Sequence, residues 1–294
     1  MKGLELVGAI VAPVVWGLSF IAIKYGVEEA PPFLLTALRF AFAALPFAFF
    51  VKPPAAPARL VVLYGALIGV AQFGLLFLAV REGMPVGLAS LVIQAQVYCT
   101  ILFAALTLGE RPTRPQWIGG AVALAGMVVI ASTRWGEASL SPFALTMGAA
   151  VCWGAGNVVG KRIGRVDALS FVVWSSLVAP LPMAALSFGL EPQRTLAALT
   201  HPSLKLALSV AALAYGGTLL AYGLWARLLA KYPTAAVAPF ALLVPVVGMI
   251  SARLLFDEPM TPAELAGAAL VMAGLAINVM GARLSGVSRR RAPA

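Results

Sequence analysis

The sequence predicts an all-α membrane protein in which ten transmembrane helices form two inverted five-helix repeats around a central cavity. Three observations predict it. First, 61% of the 294 residues are hydrophobic and 11% are charged, with a mean hydropathy of +0.95, whereas a soluble domain carries about 25% charge. Second, apolar runs of about 20 residues, the length that crosses about 30 Å of hydrocarbon as a helix, recur along the whole chain. Third, Trp16-Gly17-Leu18-Ser19-Phe20 running to Lys24 returns as Trp153-Gly154-Ala155-Gly156-Asn157 running to Lys161, at a constant offset of 137.

The runs lie near residues 4–23, 32–51, 60–80, 86–108 and 115–133, then near 142–160, 168–189, 204–228, 234–255 and 262–282. The first follows Lys2, but Trp16 and Lys24 come after it without a small-residue cleavage site, so it reads as a retained span rather than a signal peptide. Proline marks the edges of the others: Pro31-Pro32 opens the second, Pro53-Pro54 closes it and Pro57 precedes the third. Pro112 and Pro115 separate the fourth from the fifth, and Pro142, Pro192, Pro202, Pro233, Pro259 and Pro262 bound the runs of the second half. Proline fits a first helical turn and breaks an interior, so it collects at such boundaries. Residues 1–135 are therefore expected to form the first repeat and 136–283 the second. Residues 284–294, with Arg289-Arg290-Arg291, form a basic tail facing the lipid headgroups.

The last two spans of each half match at a second constant offset, 148, which pairs Pro85 with Pro233, Glu110 with Glu258, Gly119 with Gly267 and Ala125-Gly126 with Ala273-Gly274. The change of offset implies extra residues in the second half, and the loop from Glu191 to Pro202 is where they are expected. Five spans per repeat is an odd number, so the second copy enters the membrane opposite to the first. Counting basic residues over short loops places both termini in the cytoplasm. Only seven of the 21 Lys and Arg, Lys24, Arg39, Arg81, Arg134, Arg194, Lys205 and Arg253, then fall outside or within spans near that side.

Several function classes are excluded. The net charge of +10 is scattered singly between apolar runs and builds no patch for phosphates, so no nucleic-acid partner is expected. Cys99 and Cys152 lie within apolar runs and have no metal or disulfide spacing. A membrane enzyme needs a nucleophile with its base, a carboxylate pair or clustered metal ligands, and the single histidine, His201, sits in a predicted loop. A channel needs charged rings or repeated carbonyl filters, which the sequence lacks. No cofactor and no metal is expected. The partners are membrane lipid and a small molecule, and a monomer suffices.

Inverted repeats are the plan by which one half of a carrier rocks against the other around a midplane site. The Trp16-Gly17 to Lys24 start, Gly109-Glu110-Arg111-Pro112 after span four, Asp257-Glu258-Pro259 after span nine and the glycine-rich spans that follow resemble the ten-helix, EamA-type members of the drug/metabolite transporter superfamily. The resemblance covers nearly the whole chain and is nearest to exporters of aromatic and other hydrophobic amino acids in the bacterial cytoplasmic (inner) membrane. It implies a central cavity built mainly from spans one, three, four, six, eight and nine. The chain departs from a strict repeat where Asn157 replaces Phe20 and where Pro239 and Pro245 stand against Leu91 and Val97.

Polar groups in hydrocarbon are costly unless they pair or face a wet cavity. The mid-span Gln72, Gln94, Gln96, Tyr98, Asn157 and Tyr222 either bond between helices or face such a cavity. Gln94 and Gln96 diverge by about 200° around a helix, so one faces the cavity and the other a neighbouring helix. Trp16, Phe20, Phe73, Tyr98, Trp153, Tyr222 and Phe240 either pack between helices or offer ring edges and faces to a substrate, and Trp225 is either an interfacial anchor or part of that set. Pro239 and Pro245 mark a kink in span nine, static or gating. All eleven acids fall outside mid-span, so facilitated diffusion is expected; the alternatives are a proton-coupled exporter of different substrate range and, remotely, a membrane-embedded enzyme.

Overall fold

The computed structural model describes residues 1, 3–84, 86–133, 139–256 and 261–284. Lys2, Pro85, Arg134, Glu137, Asp257, Glu258, Pro259, the tail beyond Leu284 and the expected boundary between the repeats lie outside the described residues. Among the described residues every regular element is helical. Eight helices among the described residues are long and apolar enough to cross a membrane, and Pro32–Ala48 and Pro262–Ile277 are shorter apolar helices that complete the set.

Numbered as spans, these are Leu4–Glu29 (one), Pro32–Ala48 (two), Ala58–Arg81 (three), Leu88–Leu108 (four), Arg114–Thr133 (five), Leu140–Ile163 (six), Ala168–Leu190 (seven), Leu204–Lys231 (eight), Thr234–Ser251 (nine) and Pro262–Leu284 (ten). Their outer faces carry large apolar side chains such as Leu106, Ile118, Val128 and Leu208, a surface that belongs in lipid. Gly109, at φ 66°, ends span four in the left-handed conformation that glycine adopts without strain.

The packing is reciprocal. Span one lies on span nine and span six on span four; span one also lies on span eight and span six on span three. The glycine of each Trp-Gly pair makes the first of these contacts possible. A Cβ on Gly17 would stand 2.7 Å from Cβ of Val247, and one on Gly154 would stand 2.6 Å from Cβ of Cys99. Spans five and ten meet through the matched glycines themselves. A Cβ on Gly126 would stand 2.5 Å from the Gly267 carbonyl oxygen, and one on Gly274 the same distance from that of Gly119. As the residue number rises along one helix it falls along the other, so the two matched helices run antiparallel and the repeats are inverted. Small residues that let backbones approach are how helices associate in lipid, where no hydrophobic drive exists between them.

The helical irregularities repeat as well. Span three contains a π-helical stretch at Ala66–Gln72 and span eight one at Ala212–Leu220, while span four turns 3-10 at Ile93–Ala95 and span nine at Ala238–Leu242. Pro239 lies in that last stretch and Pro245 in the helix Leu243–Phe256 that follows it.

Two details differ from the sequence reading. Span seven is two helices, Ala168–Ser176 and Pro180–Leu190, because Pro180 has no N–H to continue the ladder. The connection read as a loop holds a short helix, Pro192–Thr200. It is anchored by Thr195 and Ser187, whose hydroxyl oxygens are 2.7 Å apart, and by Glu191, which pairs with Arg81 at 3.2 Å and with Arg194 at 2.8 Å.

Candidate functional site

Spans one and six bring Trp16 and Trp153 edge to face, with ring centroids 5.3 Å apart. Tyr222 and Trp225, one turn apart on span eight, stand 4.8 and 5.1 Å from Trp16, distances at which offset and edge-on rings attract. The Trp16 indole N–H donates to the carbonyl of Gly217 at 3.0 Å. That carbonyl lies in the π-helical stretch of span eight, where the changed hydrogen-bond spacing leaves backbone acceptors for side chains, a common feature of functional positions.

Next to this cluster the side chains leave a narrow cavity of about 40 Å³, lined by rings from Trp16, Phe20, Phe73, Trp153 and Tyr222, aliphatic groups from Ile23, Leu76, Ile93 and Val244, and polar groups from Ser19, Arg39, Gln72 and Gln94. Small-molecule sites have this lining, apolar walls with a few convergent polar groups. A smaller cavity of about 10 Å³ between spans two, three, seven and eight shares Tyr222 with it.

Arg39 on span two is the least expected lining group. It is 2% exposed. Its Nε–H donates to Thr218 Oγ1 at 2.8 Å, and the Thr218 hydroxyl in turn donates to the Leu213 carbonyl within the π-helical stretch at 2.9 Å. The guanidinium lies over the Phe73 ring, 4.3 Å from its centroid, and beside that of Phe40 at 5.4 Å, a cation–π arrangement. Three other lining atoms are buried without a protein partner, the carbonyl oxygens of Gln72 and Gln94 and the indole nitrogen of Trp153. The Gln94 amide nitrogen donates to the Ser90 carbonyl at 3.3 Å, which fixes which end of that amide is unpaired.

The structure thus brings together seven residues singled out from sequence, Trp16, Phe20, Gln72, Phe73, Gln94, Trp153 and Tyr222. It places three others elsewhere. Tyr98 turns toward span five, where its hydroxyl donates to the Gly120 carbonyl at 3.1 Å. Asn157 is used up between helices: its amide donates to Gln96 Oε1 and Thr100 Oγ1, both at 3.0 Å, and its oxygen accepts from the Trp225 indole at 3.1 Å. Phe240 is buried in the packing of span nine. Of the Gln94 and Gln96 pair, Gln94 faces the cavity and Gln96 a neighbouring helix.

At one end of the bundle Lys161 forms an ion pair with Glu110 and donates to the Tyr232 carbonyl at 2.7 Å. Glu110 also accepts from the Thr234 backbone N–H at 2.9 Å, so the ends of spans four and six and the start of span nine are tied together. Sequence reasoning placed Arg39 among the residues that report topology and passed over Ser19, Ile23, Leu76, Ile93 and Val244. A single arginine amid the apolar run of span two was the available signal.

Comparison with known proteins adds the following. The model of the family described as "EamA-like transporter family" matches residues 3–132 and 140–280. A protein of Salmonella typhimurium strain LT2 described as "Probable amino-acid metabolite efflux pump" is 43% identical over 288 residues, 96% of this chain and 96% of that one. A protein of Escherichia coli strain K12 described as "Uncharacterized inner membrane transporter YedA" is 26% identical over 298 residues, 95% of this chain and 92% of that one. A crystal structure of a protein 23% identical in sequence superposes with a TM-score of 0.79, covering 96% of this chain and 98% of the other, which shows a common fold.

Proposed function

The chain belongs to the EamA-like transporter family, and on that premise we propose that it carries small metabolites, foremost aromatic and other hydrophobic amino acids, outward through the cavity between its repeats. The observation that carries this reading is the cavity itself, a largely apolar, ring-lined space at the meeting of spans from both repeats, with polar groups left unpaired inside it. The direction and the substrate class follow the relative described as an amino-acid metabolite efflux pump. The membrane is taken to be the inner membrane, as in the description of the Escherichia coli relative, with both termini cytoplasmic and the halves meeting near residue 135.

The mechanism follows from the inversion. Because spans one and six make the same contacts in opposite orientations, a rocking of one repeat on the other exchanges which end of the cavity is open. The antiparallel seam of spans five and ten stays in register while the bundle around the cavity shifts.

The transport is facilitated. A proton-driven carrier holds a titratable group where protonation biases one conformation. Among the described residues no carboxylate lines the cavity; the buried Glu264 sits in the first turn of span ten, where it accepts from the Thr261 backbone N–H at 2.8 Å. Uptake of labelled phenylalanine, tyrosine, tryptophan and leucine into proteoliposomes, with and without an imposed pH gradient, tests both parts. The expected result is flux above that of empty vesicles that stops at equal concentrations. Absence of flux for the whole panel contradicts the substrate class, and accumulation that an ionophore abolishes contradicts the facilitated mode in favour of proton coupling.

A further inference from the structure

We propose that Arg39 receives the carboxylate of the transported molecule and that the unpaired oxygens of Gln72 and Gln94 receive its ammonium, so that the cavity selects free, zwitterionic α-amino acids. This rests on the reading of the cavity as the translocation site and adds what the site recognises.

A guanidinium carried into a membrane span is costly unless something negative compensates it. Among the described residues no carboxylate pairs with Arg39: Nε–H is held by Thr218, the face of the group rests on Phe73, and the group borders the cavity. An arginine fork oriented by Thr218 and Phe73 matches a carboxylate in two parallel hydrogen bonds. The Trp153 N–H, buried without an acceptor, is a further donor on the same cavity. On the opposite side of the balance, Gln72 and Gln94 each leave a carbonyl oxygen buried and unpaired there. Buried polar atoms are nearly always satisfied, and those left over in a cavity call for a ligand.

The four groups together discriminate between ligand classes. An apolar molecule leaves all four unpaired. A simple carboxylic acid satisfies Arg39 and Trp153 but not the two amide oxygens, and a simple amine satisfies the oxygens while setting a second cation beside Arg39. An α-amino acid bears both charges on one carbon, and its side chain then lies against the rings of Trp16, Phe20 and Phe73.

The test compares leucine, leucinamide, N-acetylleucine and 4-methylpentanoate on the full-length protein in nanodiscs, by thermal shift and by direct binding. Wild type is expected to bind leucine about tenfold to a hundredfold more tightly than leucinamide, the loss that follows from removing a charged hydrogen-bond partner. The two forms without a free ammonium should also bind more weakly. Arg39→Gln should bind leucine and leucinamide equally, while Arg39→Lys should keep part of the preference for the acid. Equal binding of leucine and leucinamide by wild type, or an undiminished preference for the acid in Arg39→Gln, overturns the proposal; the wild-type comparison stands even if the Arg39 variants do not fold. Should wild type bind none of the four ligands, the head-group assignment falls for this class of amino acid. Selective binding without flux in proteoliposomes, by contrast, supports the head-group site and counts against the transport reading alone.

Discussion

The two central tryptophans occupy matched positions and yet differ by one hydrogen bond. Trp16 donates to Gly217, whereas the Trp153 N–H has no acceptor, so the repeats are not in identical states. Asn157, four residues after Trp153, has the opposite character, because both ends of its amide are engaged by Gln96, Thr100 and Trp225. Asn157→Leu leaves the Trp225 indole N–H without its acceptor, although Thr100 still donates to Gln96, and is expected to cost about 1–3 kcal/mol of stability, read as a lower melting temperature, while the flux per folded molecule stays near wild type. A loss of flux with unchanged melting would instead place Asn157 in the transport path. At this scale the sequence was only half legible: polar type and depth mark a residue as paired or cavity-facing, but which one depends on the rotation of its helix, and that is set by packing. Arg39 was hidden for a related reason, since a lone arginine at that point in the count reads as topology until the burial of its side chain is known.

Among the elements, the glycines show which contacts the helices depend on. Gly126 sits where a Cβ would meet the backbone of span ten at 2.5 Å, and a backbone oxygen cannot step aside as a side chain does. Gly126→Ala is therefore expected to destabilise the protein by about 1–3 kcal/mol. Gly120, on the same helix with open space around it, is the control: Gly120→Ala should be neutral or slightly stabilising, since alanine is the better helix former. Thermal unfolding of both variants in one detergent separates the two, and equal melting would show that spans five and ten are not held as described. The ten spans and the matched glycines were readable because hydrophobic length and a constant offset survive in one dimension. The π-helical stretches at Ala66–Gln72 and Ala212–Leu220 were not, because no proline marks them. The helix Pro192–Thr200 was missed because its polar, Arg-containing surface reads as a loop.

For the molecule as a whole, the antiparallel pairing of matched helices and the reciprocal contacts of spans one and six make two nearly equivalent arrangements available to one chain, which is what alternating access requires. A carrier of this kind exchanges substrate faster than it moves it in one direction only if the loaded site is the one that reorients. Counterflow measures this most directly. Proteoliposomes filled with unlabelled phenylalanine and diluted into a trace of labelled phenylalanine are expected to take up label to a transient peak above its equilibrium level, with or without a pH gradient. Entry of label at the rate of protein-free vesicles, with no peak, would contradict the account.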